Sequence, residues 1–313
     1  MKKKIIVRIS NEIGNQLFMY ASSYAISKKL NRLLYLDNET AFTSRKNISA
    51  YGLNNFMISG IIAGKKDKFL GVIGYLKRKI LKKINLILSK KIFYEEPKNK
   101  KKITKYSDQI FKMNFSNNLY IEGYFETEKY FDDFRENILK EFSFLDVDKY
   151  IKSPFYNYLN KKNSVSICLR QNRYIEGKNK NNKVNQEKSD NFKLEQIKFI
   201  NKSIKYIENN VPKPKFYLWS NDFDNIDMSL FCSGVTKIKH SGDILSGIDK
   251  RSLDLFLISQ CNHHIVIPSS FNWWGAWLSQ KKNKIICRPN DDFFTDFQVN
   301  NLDFWPPSWK EIS

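Results

Sequence analysis

Residues 5–36 constrain the fold more than any other stretch of the chain. Ile5, Ile6, Val7 and Ile9 make a short β-branched run that reads as a buried strand. A polar turn follows over residues 10–14. Leu17, Tyr20, Ala21, Tyr24, Ala25 and Leu30 then recur at helical spacing, and Leu33, Leu34, Tyr35 and Leu36 read as a second strand. Strand, tight turn, helix and strand make a βαβ unit. The helix carries the chain back, so the two strands pair in parallel.

The alternation recurs further along. Residues 119–121 read as a strand, followed by a helix over 126–142. In the second half, 165–169, 216–219, 235–238, 264–267 and 285–287 read as strands, with helices over 191–208, 252–259 and 270–278. A Lys- and Asn-rich insert at 177–188 reads as a loop. The pattern turns polar and irregular between Tyr150 and Lys162, so the 313 residues divide into domains at 1–155 and 156–313. The fold class expected is α/β, with two Rossmann-type doubly wound domains facing a cleft, the architecture called GT-B.

Composition narrows the function classes. Apolar residues at 42% and aromatics at 15% exclude a disordered chain. The four cysteines lie far apart with no CxxC pair, which argues against a zinc ribbon; Cys168 and Cys287 fall in apolar runs and read as reduced, buried thiols. The apolar run after the N-terminal lysines is broken by Arg8 and too short for a signal peptide, and no stretch reaches the ~20 apolar residues of a membrane span. A cytoplasmic protein is expected. The net charge of +21 fits a phosphorylated donor, an anionic membrane or nucleic acid, and equally the Lys/Asn usage of an AT-rich genome. No recognised nucleic-acid motif is present, so nucleic acid is not the expected partner.

Residues 65–105 concentrate this charge, with fifteen Lys or Arg against Asp67, Glu95 and Glu96. Leu70, Ile73, Leu76, Ile80, Ile84 and Ile87 repeat every three or four residues within it. Two readings stay open. A basic amphipathic helix can lie in an anionic membrane interface, which makes the protein peripheral on the inner face of the membrane. Alternatively its apolar side faces the core.

Ligands bind at the carboxyl ends of strands in open α/β sheets, which selects four segments. In residues 11–18, Gly14 permits close backbone approach while Asn15 and Gln16 can bond sugar hydroxyls; an ordinary strand-to-helix turn reads the same way. Residues 166–173 end a strand in Arg170, Gln171, Asn172 and Arg173, where guanidiniums can neutralise a pyrophosphate or remain solvated. Residues 216–224 deliver Ser220 and Asp222; Asp222 accepts from a ligand or caps the turn, and with Asp224 it has the spacing of a metal-binding DxD. Residues 265–277 lead through Ser269, Ser270 and Phe271 into a helix whose N-terminal amides suit a phosphate, with Trp273, Trp274 and Trp277 as core or as a stacking surface.

Four runs together carry a resemblance: Gly14-Asn15-Gln16-Leu17-Phe18, residues 122–131 beginning Glu122-Gly123-Tyr124-Phe125-Glu126, Phe216 to Asp222, and Ser269-Ser270-Phe271-Asn272-Trp273-Trp274-Gly275-Ala276-Trp277. They resemble glycosyltransferase family 11, the bacterial α-1,2-fucosyltransferases, over nearly the whole chain. The family's donor signature His-x-Arg-Arg-x-Asp reads here Cys168-Leu169-Arg170-Gln171-Asn172-Arg173, keeping only Arg170.

The resemblance implies an inverting transfer of L-fucose from GDP-β-L-fucose to the 2-OH of a galactoside, in a surface polysaccharide or a lipid-linked O-antigen repeat of lipopolysaccharide. It implies a donor set of Arg170, Gln171, Asn172, Arg173, Ser220, Asp222, Ser269, Ser270 and Phe271. It implies an acceptor set of Gly14, Asn15, Gln16 and Glu126, with Arg170 on the leaving group and a base among Glu12, Glu126 and Asp222. No metal or other cofactor is expected. The altered signature leaves another GDP-deoxysugar, such as GDP-colitose, as an alternative donor. More distant alternatives are a metal-dependent transferase using Asp222 and Asp224, and a nucleic-acid-binding protein using the basic stretch.

Overall fold

The helix Ile13–Lys29 returns the chain so that β1 (Lys4–Arg8) and β2 (Leu33–Asp37) pair in parallel, with Ile6 opposite Tyr35. This helix is buried nearly all round, from Leu17 and Phe18 to Ser22, Ser23 and Ala25, as a central element of a core must be. The computed structural model describes residues 2–43, 50–97, 105–175, 183–240, 247–294 and 301–313. Contacts divide the chain into two units: Met1–Leu145 with Leu302–Pro306, and Asp146–Asn301 with Pro307–Ser313.

In the first unit, β3 (Ile61–Ile62), β4 (Lys91–Glu95) and β5 (Phe115–Glu122) join β1 and β2 in a sheet of order β3-β2-β1-β5-β4, all parallel. The second unit has β6 (Ser164–Leu169), β7 (Lys215–Ser220), β8 (Val235–Lys237), β9 (His263–Ile265), β10 (Ile286–Pro289) and β11 (Lys310–Ile312), in order β11-β10-β9-β6-β7-β8, again all parallel. From β6 the chain proceeds to one side of this sheet, and from β9 to the other, so a topological switch point lies between them. In the first sheet β1 and β5 are central neighbours, and the chain reaches β5 from the edge strand β4. The mixed α/β, doubly wound class expected from the sequence is the one observed.

Alternation along β6 builds the second core. Val165, Ile167 and Leu169 face the helix Lys183–Asn210, where Phe199, Ile200, Ile204 and Ile207 complete a continuous apolar cluster. Ser166 and Cys168 occupy the other face. The three tryptophans of residues 270–278 are buried core, not a stacking surface. Gly275 lets their helix approach Lys250–Gln260: a Cβ there would lie 2.4 Å from Cγ2 of Ile258. Cys168, Cys261 and Cys287 are buried free thiols, and burial pushes the Cys287 thiol up to about 12, so it stays neutral.

Several local expectations are corrected. Residues 126–142 are not one helix but two 3₁₀ turns, Glu128–Tyr130 and Asp132–Phe134, followed by the helix Arg135–Glu141. Thr127 caps the first turn, and Tyr130 and Phe131 are both buried. Residues 65–105 contain a 3₁₀ turn, the helix Gly71–Asn85 and strand β4, while 98–104 lie outside the described residues. Of the insert at 177–188, residues 183–188 open the helix Lys183–Asn210, and 177–182 lie outside the described residues.

The unit division also differs from a boundary at 155. Tyr150 packs on Phe256 with ring centroids 5.4 Å apart, which draws residues 146–155 into the second unit. Leu302–Pro306 returns to the first, where Phe304 meets Phe18 at 6.2 Å and Asp303 pairs with Lys129.

Candidate active site

In the second unit, the polar residues that end β6 and β7 are stitched to one another. The buried side-chain amide of Gln196 bonds both the N–H and the carbonyl of Arg170, at 2.8 and 2.9 Å. Asn221 does the same to Gln171: its Oδ1 accepts the Gln171 N–H at 2.7 Å and its Nδ2 donates to the Gln171 carbonyl at 3.1 Å. Two consecutive peptides are thereby fixed where the strand stops. Asn172 then turns into the left-handed region at φ 59°, which asparagine tolerates better than most residues, and donates to Asp222 at 3.3 Å. Arg173 is exposed in the turn beyond.

Asp222 is the acceptor around which the β7 turn closes. It accepts the Asn225 amide and the Asp224 N–H, each at 3.0 Å. The Asn225 amide, then the Asp224 N–H, with help from Asn172, hold its carboxyl below the usual range. Ser220 donates through its hydroxyl to the Asp222 carbonyl at 2.8 Å and accepts the Asp222 N–H. Asp224 points to solvent 3.6 Å from Lys239. Among the described residues no three His, Cys, Asp or Glu side chains converge as metal ligands; Asp222 and Asp224 form a turn rather than a paired DxD.

Across the switch point, Ser269 sits at the N-cap of the helix Ser270–Leu278 in extended conformation, with no side-chain cap bond. Its carbonyl accepts the Trp273 N–H at 2.9 Å. Ser269, Ser270 and Phe271 are half-buried, at a helix end where backbone N–H groups lack intrahelical acceptors. Ile167 pairs with Ile265, so β6 and β9 are neighbours; Arg170 directly follows the end of β6, and the chain after β9 leads to the helix Ser270–Leu278. A cation and a helix N-terminus thus end adjacent strands, an arrangement that suits a diphosphate.

In the first unit, Asn11 adopts φ 63° after β1 and donates to the Tyr124 hydroxyl at 2.5 Å. Asn15 donates to Glu126 at 2.7 Å, and both are half-buried. Glu12 is exposed at the N-cap of Ile13–Lys29, where a carboxylate meets the positive end of the helix. Gly14 is buried in the first helical turn. Gln16 is fully buried: it donates to the carbonyls of Asn11 and Ala50 and accepts the Gly52 N–H. Its amide builds the turn, unlike Asn15, whose partner is a half-exposed carboxylate.

Sequence reasoning missed two builders, Gln196 and Glu96. Glu96 is buried after β4, and its Oε2 accepts the N–H groups of Tyr124 and Phe125, both at 2.8 Å. That holds Phe125 at φ 53°, a conformation costly for an aromatic residue, and so aims Tyr124 and Glu126. Gly123 is required beside it, because a Cβ there would lie 2.4 Å from the Glu96 Cβ. The available signal was an acid immediately after β4 in a basic run. Glu122, just before this turn, sits in a cage of cations: Arg78, Lys82 at 2.6 Å and Arg8 at 3.7 Å. Burial alone would raise its carboxyl, but Arg78, Arg8 and Lys82 outweigh that and hold it below the usual range.

Comparison with known proteins adds a family. The family model for glycosyl transferase family 11 matches residues 2–312. An alpha-1,2-colitosyltransferase of Escherichia coli is 26% identical over 321 residues, covering 98% of each chain. The Escherichia coli O-antigen biosynthesis glycosyltransferase WbnK is 23% identical over 299 residues, covering 91% of this chain and 93% of its own. Among solved structures, fucosyltransferase NodZ from Bradyrhizobium superposes with a TM-score of 0.51 at 15% identity, covering 88% of this chain and 93% of that one. NodZ alpha-1,6-fucosyltransferase soaked with GDP-fucose gives 0.51 at 16%, covering 89% and 93%. At this identity the structures establish fold alone.

Proposed function

This chain belongs to glycosyl transferase family 11, and from that premise we propose that it transfers a 6-deoxyhexose from a GDP-sugar, first of all L-fucose from GDP-β-L-fucose, to the 2-OH of a galactoside in an O-antigen repeat. The observation that carries this reading is Arg170, whose main chain is fixed at the end of β6, on the strand next to the one that leads into the helix Ser270–Leu278. The bond to the anomeric carbon breaks as the acceptor hydroxyl attacks from the opposite face, so one displacement inverts the configuration. Negative charge then grows on the departing diphosphate. Arg170 and the helix N-terminus meet that charge, and this arrangement needs no divalent cation. Ser269, Ser270 and Phe271 complete this phosphate end, with Gln171, Asn172, Arg173, Ser220 and Asp222 shaping the loop around it.

The base that accepts the hydroxyl proton is Glu126 or Glu12, both carboxylates on the turns that end β5 and β1. Asp222 is less suited, since three donors stabilise its anion and lower its proton affinity. Asn15, half-buried and bonded to Glu126, binds the acceptor, whereas Gly14 is buried in the first helical turn.

A second donor reading has its own support. The donor signature departs from the fucosyltransferase pattern at Cys168, Gln171 and Arg173, and a colitosyltransferase is among the relatives over nearly full length. Colitose lacks the 3-hydroxyl of fucose, so a donor loop with altered polar side chains fits a donor with an altered hydroxyl pattern.

The test is GDP release by the purified protein with a galactoside acceptor and a panel of GDP-sugars. Turnover with GDP-fucose or GDP-colitose, retained in EDTA, is expected. No turnover with any GDP-sugar would overturn the donor class, and restoration by Mn²⁺ would overturn the metal-free reading.

A further inference from the structure

The helix Gly71–Asn85 is amphipathic in the opposite sense to an ordinary surface helix. Its polar side faces the protein. Arg78 and Lys82 reach Glu122 at the end of β5, and Asn85 accepts the N–H groups of Ile92 and Phe93 at 2.7 and 2.9 Å. None of its residues is buried. Its apolar side faces away: Val72, Ile73, Leu76, Ile80 and Ile84 are 76, 83, 50, 56 and 40% exposed, and Ile87 beyond its end is 86% exposed. At about 100° per residue these six share one stripe, with Lys79 and Lys83 along one margin and Lys77 along the other. All three lysines are exposed.

We infer that this face docks on an anionic lipid bilayer. The stripe supplies apolar surface to the acyl boundary, and lysines at its margins can extend to lipid phosphates. Charge selects this occupant. From Lys68 to Tyr94 the sequence contains no Asp or Glu, so the face carries only positive charge. A second copy packed about a two-fold axis would set two cationic helices against each other. A nucleic acid would match the charge and leave the stripe in water. The anchor also has a functional position, since Glu122 immediately precedes the turn that carries Tyr124 and Glu126. A helix seated on lipid therefore holds the candidate acceptor residues close to the membrane surface. The docking itself stands on helix geometry and not on the donor reading.

The experiment is co-sedimentation of the purified full-length protein with vesicles of equimolar phosphatidylcholine and phosphatidylglycerol, and separately with phosphatidylcholine alone. Salt-sensitive binding to the anionic vesicles is expected. Lys77→Gln/Lys79→Gln/Lys83→Gln should weaken it about 100-fold, at roughly fivefold per lysine. Ile73→Gln/Ile80→Gln should weaken it as strongly with the charge unchanged. Both sets lie on exposed positions, so the wild-type unfolding transition should persist, and the lysine variant alone decides the matter if the isoleucine variant fails to fold. Wild-type protein left in the supernatant overturns the inference, as does undiminished binding by the lysine variant. A dimer dissolved by Ile73→Gln/Ile80→Gln, with no vesicle binding, would assign the face to a second copy and overturn it too. No step uses a sugar nucleotide, so failure here leaves the donor reading untouched.

Discussion

Gln196 grips Arg170 through the main chain: its Oε1 accepts the Arg170 N–H and its Nε2 donates to the Arg170 carbonyl. The guanidinium is thereby carried on a peptide whose two polar groups are already bonded, which limits the motion of its root.

Arg170→Ala should reduce kcat with the GDP-sugar by about 100- to 1000-fold, the scale of one preorganised electrostatic contact, with a smaller change in donor KM. Arg170→Lys should recover part of this, because a point charge lacks the planar fork. Steady-state kinetics on the two folded variants checks it, and near-normal turnover by Arg170→Ala would place the diphosphate elsewhere.

Gln196→Leu tests the grip itself. It leaves the N–H and the carbonyl of half-buried Arg170 without these partners, at a cost of up to about 1–3 kcal/mol for each group that stays unsatisfied. Urea unfolding should show the loss of stability, and the surviving folded enzyme should show lower kcat. Unchanged stability would mean that other groups or water replace the amide.

Glu96→Ala should act on the acceptor side. Tyr124 and Phe125 lose the carboxylate that accepts their N–H groups, and the left-handed Phe125 loses what holds it. Acceptor KM should rise while donor KM stays near wild type. A rise in both would remove Glu96 from a purely local role.

Glu122 sets a pH dependence. Its carboxyl is held below the ordinary value in the folded protein, so the unfolded chain binds the proton more readily. Its contribution is full above the unfolded carboxylate range and is lost as pH falls through its lower folded value. Glu122→Gln should therefore destabilise the protein at neutral pH, by about 3–5 kcal/mol if the cations are left uncompensated. The same variant should flatten the acid side of the stability profile. Thermal unfolding followed from neutral to acid pH distinguishes this from a uniform loss.

The alternation of strand and helix was legible because β-branched runs such as residues 5–9 and 164–169 bury both faces and punctuate themselves with polar turns. β3, β4 and β11 were not, since two of them have two or three residues and β4 starts among lysines. The strand-end residues Arg170, Asn172 and Asp222 stood out as polar groups after apolar runs. Whether such a group is spent on the backbone is a matter of partners distant in sequence: Gln16 and Ser220 turned out to build turns, and Gln196 lies 26 positions from the residue it holds. Periodicity in residues 70–87 revealed a stripe but not its direction. That direction depends on partners on other elements, Glu122 at the end of β5 and the β4 backbone that Asn85 holds.

The return of Leu302–Pro306 to the first unit gives the two units a shared covalent ancestry in any exchange. Neither is a continuous stretch of gene. A chimera joined once at Leu145–Asp146 would bring the donor parent's residues 302–306 against the recipient's Phe18 and Lys129, so it would inherit a mismatched plug together with its new half. Specificity in this lineage is therefore better traded by replacing strand-end turns than by shuffling halves, unless a second junction restores the native plug to its own unit.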